Sequence, residues 1–309
     1  MRDLIIIGGG ASGLAAATYA RSKKLNVLLI AHHLGGKAGW HQQLLGEATT
    51  EYIAGEEAVR MFERELRNDA GHLLHDKVLS ITPSEGIFEV ATANHGVERG
   101  IAVLLATGVR PVMLDVPGAA ELMGHGLGYS ATTHAPALAG KSVAVIGATE
   151  RALQGANELA HIASKLYLIA NTHVELLGSL GIALQYRPNV EVLIGYHVTE
   201  IAGAFNVEEL VVDKNGDTRR LAVDAVFVDV GLRPNSDLVR HIARVELNGL
   251  VRVDEHNATT CTGLYAAGDV TTTPTEHILI ALGEGARAAM AAHRYILAHP
   301  QAAAVAAER

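Results

Sequence analysis

The feature that most constrains this chain lies at its start. Asp3 to Ile7 is a short, Ile-rich apolar run that passes directly into Gly8-Gly9-Gly10-Ala11-Ser12-Gly13. Leu14 to Lys24 then reads as an alanine-rich helix, and Leu25 to Ile30 as a second apolar strand. A G-x-G-x-x-G turn between a buried strand and a helix, in a unit of about 30 residues, predicts a dinucleotide fold. Gly8 permits the tight turn, Gly10 lets a pyrophosphate approach the backbone, and Gly13 lets helix and strand pack closely. The helix N-terminus offers N–H groups and partial positive charge to the phosphates.

The same grammar returns 139 residues later, at Gly147. Ser142 to Ile146 reads as a buried strand, Arg151 to Ser164 as a helix, and Leu166 to Ile169 as the next strand. Ala225 to Val230 closes this second unit. In a chain of 309 residues the duplication predicts an α/β protein with two Rossmann-like nucleotide-binding domains, not one large sheet. Between the two openings lie a helix at 55–70 and strands at 78–82, 86–92 and 100–105, broken by the turn residues Glu85-Gly86. Thr262 to Val270 again runs strand, glycine turn, acid, and 275–297 reads as one long helix.

Composition narrows the function. A net charge of −8, from 33 acids and 25 bases, argues against nucleic-acid binding and against docking on anionic lipid. No stretch approaches the roughly 20 apolar residues of a membrane span, so a soluble, cytoplasmic protein is expected. The 16 histidines are scattered, and no segment gathers the three or four ligands of a metal site. Cys261 is the only cysteine, which excludes an internal disulfide or dithiol.

Taken in order, IIIGGGASGLAAA, the Gly35-Gly36-Lys37 segment, LLATG, FVDVGLRPN, LYAAGDV and ILIALGEGARAA resemble the low-molecular-weight thioredoxin reductase family of flavoproteins over nearly the whole chain. The resemblance implies a three-layer ββα architecture. It implies a discontinuous FAD domain, 1–114 and 243–309, with an NAD(P)-binding-like domain, 115–242, inserted in it, and a homodimer. It places Gly8, Gly10, Ala11, Ser12 and Gly13 at the FAD pyrophosphate. Gly35, Gly36 and Lys37 fall near the isoalloxazine and ribityl chain, with Lys37 where the family has Gln. Val78 matches a backbone contact to adenine, and Ala106, Thr107 and Gly108 a strand end under the flavin. Asp269, after Gly268, would accept from a ribityl hydroxyl. Glu276, His277 and Ile278 would face the pyrimidine edge.

The departures bear on function. Ser130 and Thr133 stand where the family carries its C-x-x-C pair, and hydroxyls have no accessible redox couple. Thr149 replaces the second glycine of the second loop. Ala170-Asn171-Thr172 stands where NADPH-dependent relatives carry cations for the 2′-phosphate, a task suited to Arg. The expected protein is therefore an FAD oxidoreductase or electron-transfer protein without the dithiol and with a degenerate NADPH site. Its electrons would come from a protein such as ferredoxin, or through a second flavin in the inserted domain. A ferredoxin–NAD(P) reductase-like enzyme, another NAD(P)H-dependent flavin oxidoreductase, a non-catalytic FAD scaffold, and a small-molecule oxidoreductase using His134 or His277 as acid/base are the alternatives.

Overall fold

The computed structural model describes residues 1–39, 54–67, 71–129, 138–273 and 276–299. These form two compact units. The first comprises the described residues of Met1–Trp40, Tyr52–Arg110 and Arg233–Arg309, and the second those of Pro111–Leu232.

The first unit opens with β1 (Arg2–Gly9), α1 (Ala11–Ser22), β2 (Val27–Leu34), α2 (Ala54–Arg67) and β3 (Leu73–Leu74). β4 (Val78–Ser84), β5 (Ile87–Thr92) and β6 (Val97–Leu105) follow. Its sheet runs β3-β2-β1-β6-β5-β4, and a strand from the C-terminal segment, Leu264–Ala266, adds to β6 in parallel. β1, β2, β3 and β6 are parallel, whereas β4, β5 and β6 form an antiparallel meander. Alternation explains why the parallel strands are apolar throughout. Leu4 and Ile6 enter a core with α1 and the helix Ile278–Ala298, while Ile5 and Ile7 enter one with Ile81, Phe88 and Val90. A strand buried on both faces has no polar side to show. β2 runs four residues beyond the expected end at Ile30, because Leu34 pairs with Gly9 past an irregularity in β1.

A buried carboxylate fixes the entry to the meander. Asp76 accepts from the N–H groups of Lys77 and Asn94 and from the Asn94 amide, and pairs with His95 Nδ1 at 2.7 Å. His95 chiefly, with these amides, holds its carboxyl well below the usual carboxylate range. A depressed folded-state pKa stabilises fully above the ordinary carboxylate value of about 4, and the contribution is lost as pH falls through the folded value. Asp76→Asn is expected to be less stable than the parent near neutrality and to converge with it in acid. Urea unfolding across pH reads this, and a stability gap independent of pH would contradict it.

The second unit contains β7 (Leu127–Gly128), β8 (Ser142–Ile146), α3 (Glu150–Leu159), β9 (Lys165–Ala170), α4 (Ser179–Gln185) and β10 (Val190–Ile194). β11 (His197–Ala202), β12 (Glu209–Lys214), β13 (Asp217–Ala222) and β14 (Ala225–Val228) complete it. The main sheet, β10-β9-β8-β14-β7, is parallel, and β11-β12-β13 is a separate antiparallel sheet. Val143 and Val145 face one core, Ala144 and Ile146 the other, repeating the two-sided burial of β1. α3 stops at Leu159, short of the expected Ser164. The Asn189 amide donates to the carbonyls of Ala160 and Ala163, satisfying groups a longer helix would have bonded.

The final helix, α5 (Ile278–Ala298), starts three residues later than its sequence suggests, because His277 caps it. Among the described residues, no helix is long and apolar enough to cross a membrane.

Candidate functional site

The two glycine loops can be compared position by position within one chain. In the first, Gly8 has φ +115°, and a Cβ there would lie 2.3 Å from the Ala106 carbonyl oxygen. A Cβ on Gly13 would lie 1.9 Å from the Gly8 oxygen. Both glycines are required by packing. Gly10 is different. Its backbone is extended, at φ −79° and ψ −174°, and a Cβ would meet nothing within 4 Å. Any residue could adopt that backbone, so the protein's own interior does not call for glycine there. Gly10 also caps α1, and no side chain takes up the cap. The result is a helix N-terminus starting at Ala11, with no acid in its first turn, facing open space beside a bare backbone. That arrangement suits a pyrophosphate.

The neighbouring segments converge on this loop. Gly35 N–H donates to Gly9 O at 2.8 Å, and a Cβ on Gly36 would come within 2.9 Å of the Gly10 Cα. The Ser12 hydroxyl turns inward and donates to Ala267 O at 3.2 Å, leaving its backbone as the part that can meet a phosphate. Ala106 N–H and Ala267 N–H extend the sheet ladder to Ile7 and Leu105. Thr107 and Asn235 bond reciprocally, Thr107 Oγ1 to Asn235 O and Asn235 Nδ2 to Thr107 O, while Gly108 O accepts from Asn235 N–H.

Lys37 ties the acids together. Its Nζ lies 2.7 Å from Asp269 Oδ2 and 3.2 Å from Glu276 Oε2. Behind Asp269, the Gly268 N–H donates to the buried carboxylate of Glu284 at 2.7 Å, which fixes the turn carrying the acid. The sequence alone does not single out Glu284, because its partner lies in another segment. His277 spends Nδ1 on accepting the Leu279 N–H at 3.2 Å, so only Nε2 remains for any other task. Ile278 packs into the core against α1. Val78 buries its side chain in the core on the opposite face of the sheet, so only its backbone could meet a ligand. Ser130, Thr133 and His134 lie outside the described residues.

The second loop starts alike and ends differently. Gly147 has φ +112°, and a Cβ would lie 2.1 Å from the Asp229 carbonyl oxygen, as Gly8 does against Ala106. At the position of Gly10 stands Thr149, whose hydroxyl accepts the Ala152 N–H at 3.1 Å and caps α3. That hydroxyl also donates to Asp229 Oδ1 at 3.2 Å, and Arg151 donates to the same oxygen at 2.8 Å. Asp229 is buried. At the end of β9, the N–H groups of Asn171 and Thr172 both donate to Glu175 Oε2, at 3.0 and 3.2 Å. The Asp in FVDVG is plain in the sequence, but its meeting with Thr149 and Arg151 depends on the fold.

The sequence profile described as pyridine nucleotide-disulphide oxidoreductase matches residues 2–293. An alkyl hydroperoxide reductase subunit, that of Pseudomonas putida, is 31% identical over 304 residues, which is 96% of this chain and 58% of that protein. The chain thus spans a little over half the length of that relative. Thioredoxin reductase of Treponema pallidum is 30% identical over 95% of this chain and 97% of its own. The crystal structure of thioredoxin reductase from Streptococcus pyogenes superposes with a TM-score of 0.83 at 24% identity, over 96% of this chain and 99% of that one. That likeness shows the fold: α/β, with two Rossmann-like units.

Proposed function

The chain belongs to the pyridine nucleotide-disulphide oxidoreductase family, and from that premise we propose that it is an FAD-dependent oxidoreductase that does not work through a dithiol of its own and has a degenerate NADPH site. The observation that carries the FAD assignment is the uncapped start of α1 beside the open space at Gly10. Bound FAD would supply a centre that accepts and passes on electrons. The N–H groups of the first turn of α1 would hold its pyrophosphate, and Gly36 would keep the wall thin where the cofactor passes Gly10. Asp269, held by the Gly268–Glu284 turn, is an acceptor for a sugar-chain hydroxyl. Lys37 bridges Asp269 and Glu276 and holds them in place. A flavin needs these groups set before it binds, since each loses less freedom on binding if already ordered.

We place the protein in the cytoplasm as a homodimer supplied with electrons by a small redox protein such as a ferredoxin. The dimer is supported by Leu279, Met290 and Leu297, all exposed on α5 at spacings of three and two turns, so that they share one face. Gel filtration with absorbance and light scattering tests the FAD assignment and the dimer. About one FAD per chain and two chains per particle are expected, with full bleaching by dithionite. Protein that purifies without flavin and cannot be reconstituted with FAD would overturn the assignment.

A further inference from the structure

We infer that the second unit fills its own nucleotide seats: the Asp229 carboxylate takes the place of a pyrophosphate, and the Glu175 carboxylate that of a ribose 2′-phosphate. This rests on the reading above only in treating the two loops as counterparts. A Rossmann unit binds its pyrophosphate at the helix start after the first strand, and reads the ribose 2′ position at the end of the second strand. The first unit keeps its helix start open. In the second, the Thr149 hydroxyl already takes the Ala152 N–H, and the buried Asp229 Oδ1 draws both Thr149 and Arg151 toward itself.

A phosphate arriving at this loop meets a buried carboxylate, a further acid at Glu150 in the first turn of α3, and an Arg engaged by Asp229. Like charges in a partly buried site repel strongly. At the end of β9 the two N–H groups that could hold a 2′-phosphate are bonded to Glu175. A carboxylate there is tolerated by a ribose hydroxyl, which donates to it, but not by a 2′-phosphate. The two seats therefore discriminate differently. Asp229 and Thr149 act against every pyridine dinucleotide, and Glu175 acts against NADPH in addition.

The test is calorimetric titration of the flavin-loaded protein with NAD⁺ and with NADP⁺, oxidised forms that leave the flavin untouched. The parent is expected to bind neither at up to millimolar concentration. Asp229→Asn keeps the shape and an acceptor for Thr149 while removing the charge that holds Arg151. With Thr149→Gly added, NAD⁺ affinity is expected to rise about tenfold or more, the worth of one charge-assisted contact. NADP⁺ binding should stay weaker until Glu175→Gln is added as well. Thermal melts establish that each variant is folded, and Asp229→Asn alone serves if the double variant is not. Tight binding of either nucleotide by the parent overturns the inference, as does a folded Asp229→Asn/Thr149→Gly protein that gains nothing. FAD content is measured on the same samples, so failure of the flavin assignment shows itself separately.

Discussion

Gly10→Leu is expected to yield folded protein without FAD. The backbone at Gly10 is extended, and a Cβ there meets nothing within 4 Å, so neither strain nor collision opposes the substitution. What the side chain does is fill the space in front of α1. A pyrophosphate kept from that helix start loses charge-assisted bonds to N–H groups, each worth about 1.5–3 kcal/mol. Losing two or three of them weakens binding by about a hundredfold or more. Gly8→Leu is the contrasting control: its Cβ falls 2.3 Å from the Ala106 carbonyl oxygen at a φ of +115°, so that variant should fail at folding instead. The flavin-to-protein absorbance ratio after gel filtration, with a thermal melt, separates the two. Stoichiometric FAD in folded Gly10→Leu would remove the pyrophosphate from this loop.

What the sequence reveals here is what lies close together along it. Both glycine loops are directly readable, because the tight turn, the close approach and the helix start fall within six residues of one another. The two-sided cores follow from strands such as Leu4–Ile7, which are apolar without alternation. Features set by distant partners are not legible. α3 ends early because of Asn189, and Lys37 meets Asp269 and Glu276 from more than two hundred residues away. Asp229 reads as part of a motif until the fold sets it against Thr149, 80 residues earlier. The antiparallel sheet β11-β12-β13 escapes a reading by pattern because its strands are half polar. Yet its hairpin carries Asn215-Gly216, both at positive φ, a pair that marks a two-residue turn.

The chain on its own is expected to reduce no protein disulfide, even with its flavin fully reduced. Converting a disulfide to two thiols takes two electrons, and a relay through sulfur needs a thiolate to attack and a second thiol to resolve the mixed disulfide. By the family resemblance Ser130 and Thr133 would hold the positions of that pair, and Cys261 is the one sulfhydryl in the sequence. Cys261 is half-buried, and burial pushes its thiol up from the ordinary value, so less of it is thiolate at neutral pH. It packs beside the core of β1, β2 and β6 in the first unit, and the chain holds no second thiol to meet it. The assay is anaerobic: dithionite-reduced holoprotein, freed of excess reductant, is mixed with an oxidised thioredoxin, and flavin reoxidation is followed together with thiol release. A flavin that stays reduced, with no new thiols, is the expected result, and Cys261→Ser should behave as the parent does. Thiol release in step with flavin reoxidation would defeat the expectation. If Cys261→Ser abolished that release, the electrons would be passing between two chains through their single cysteines.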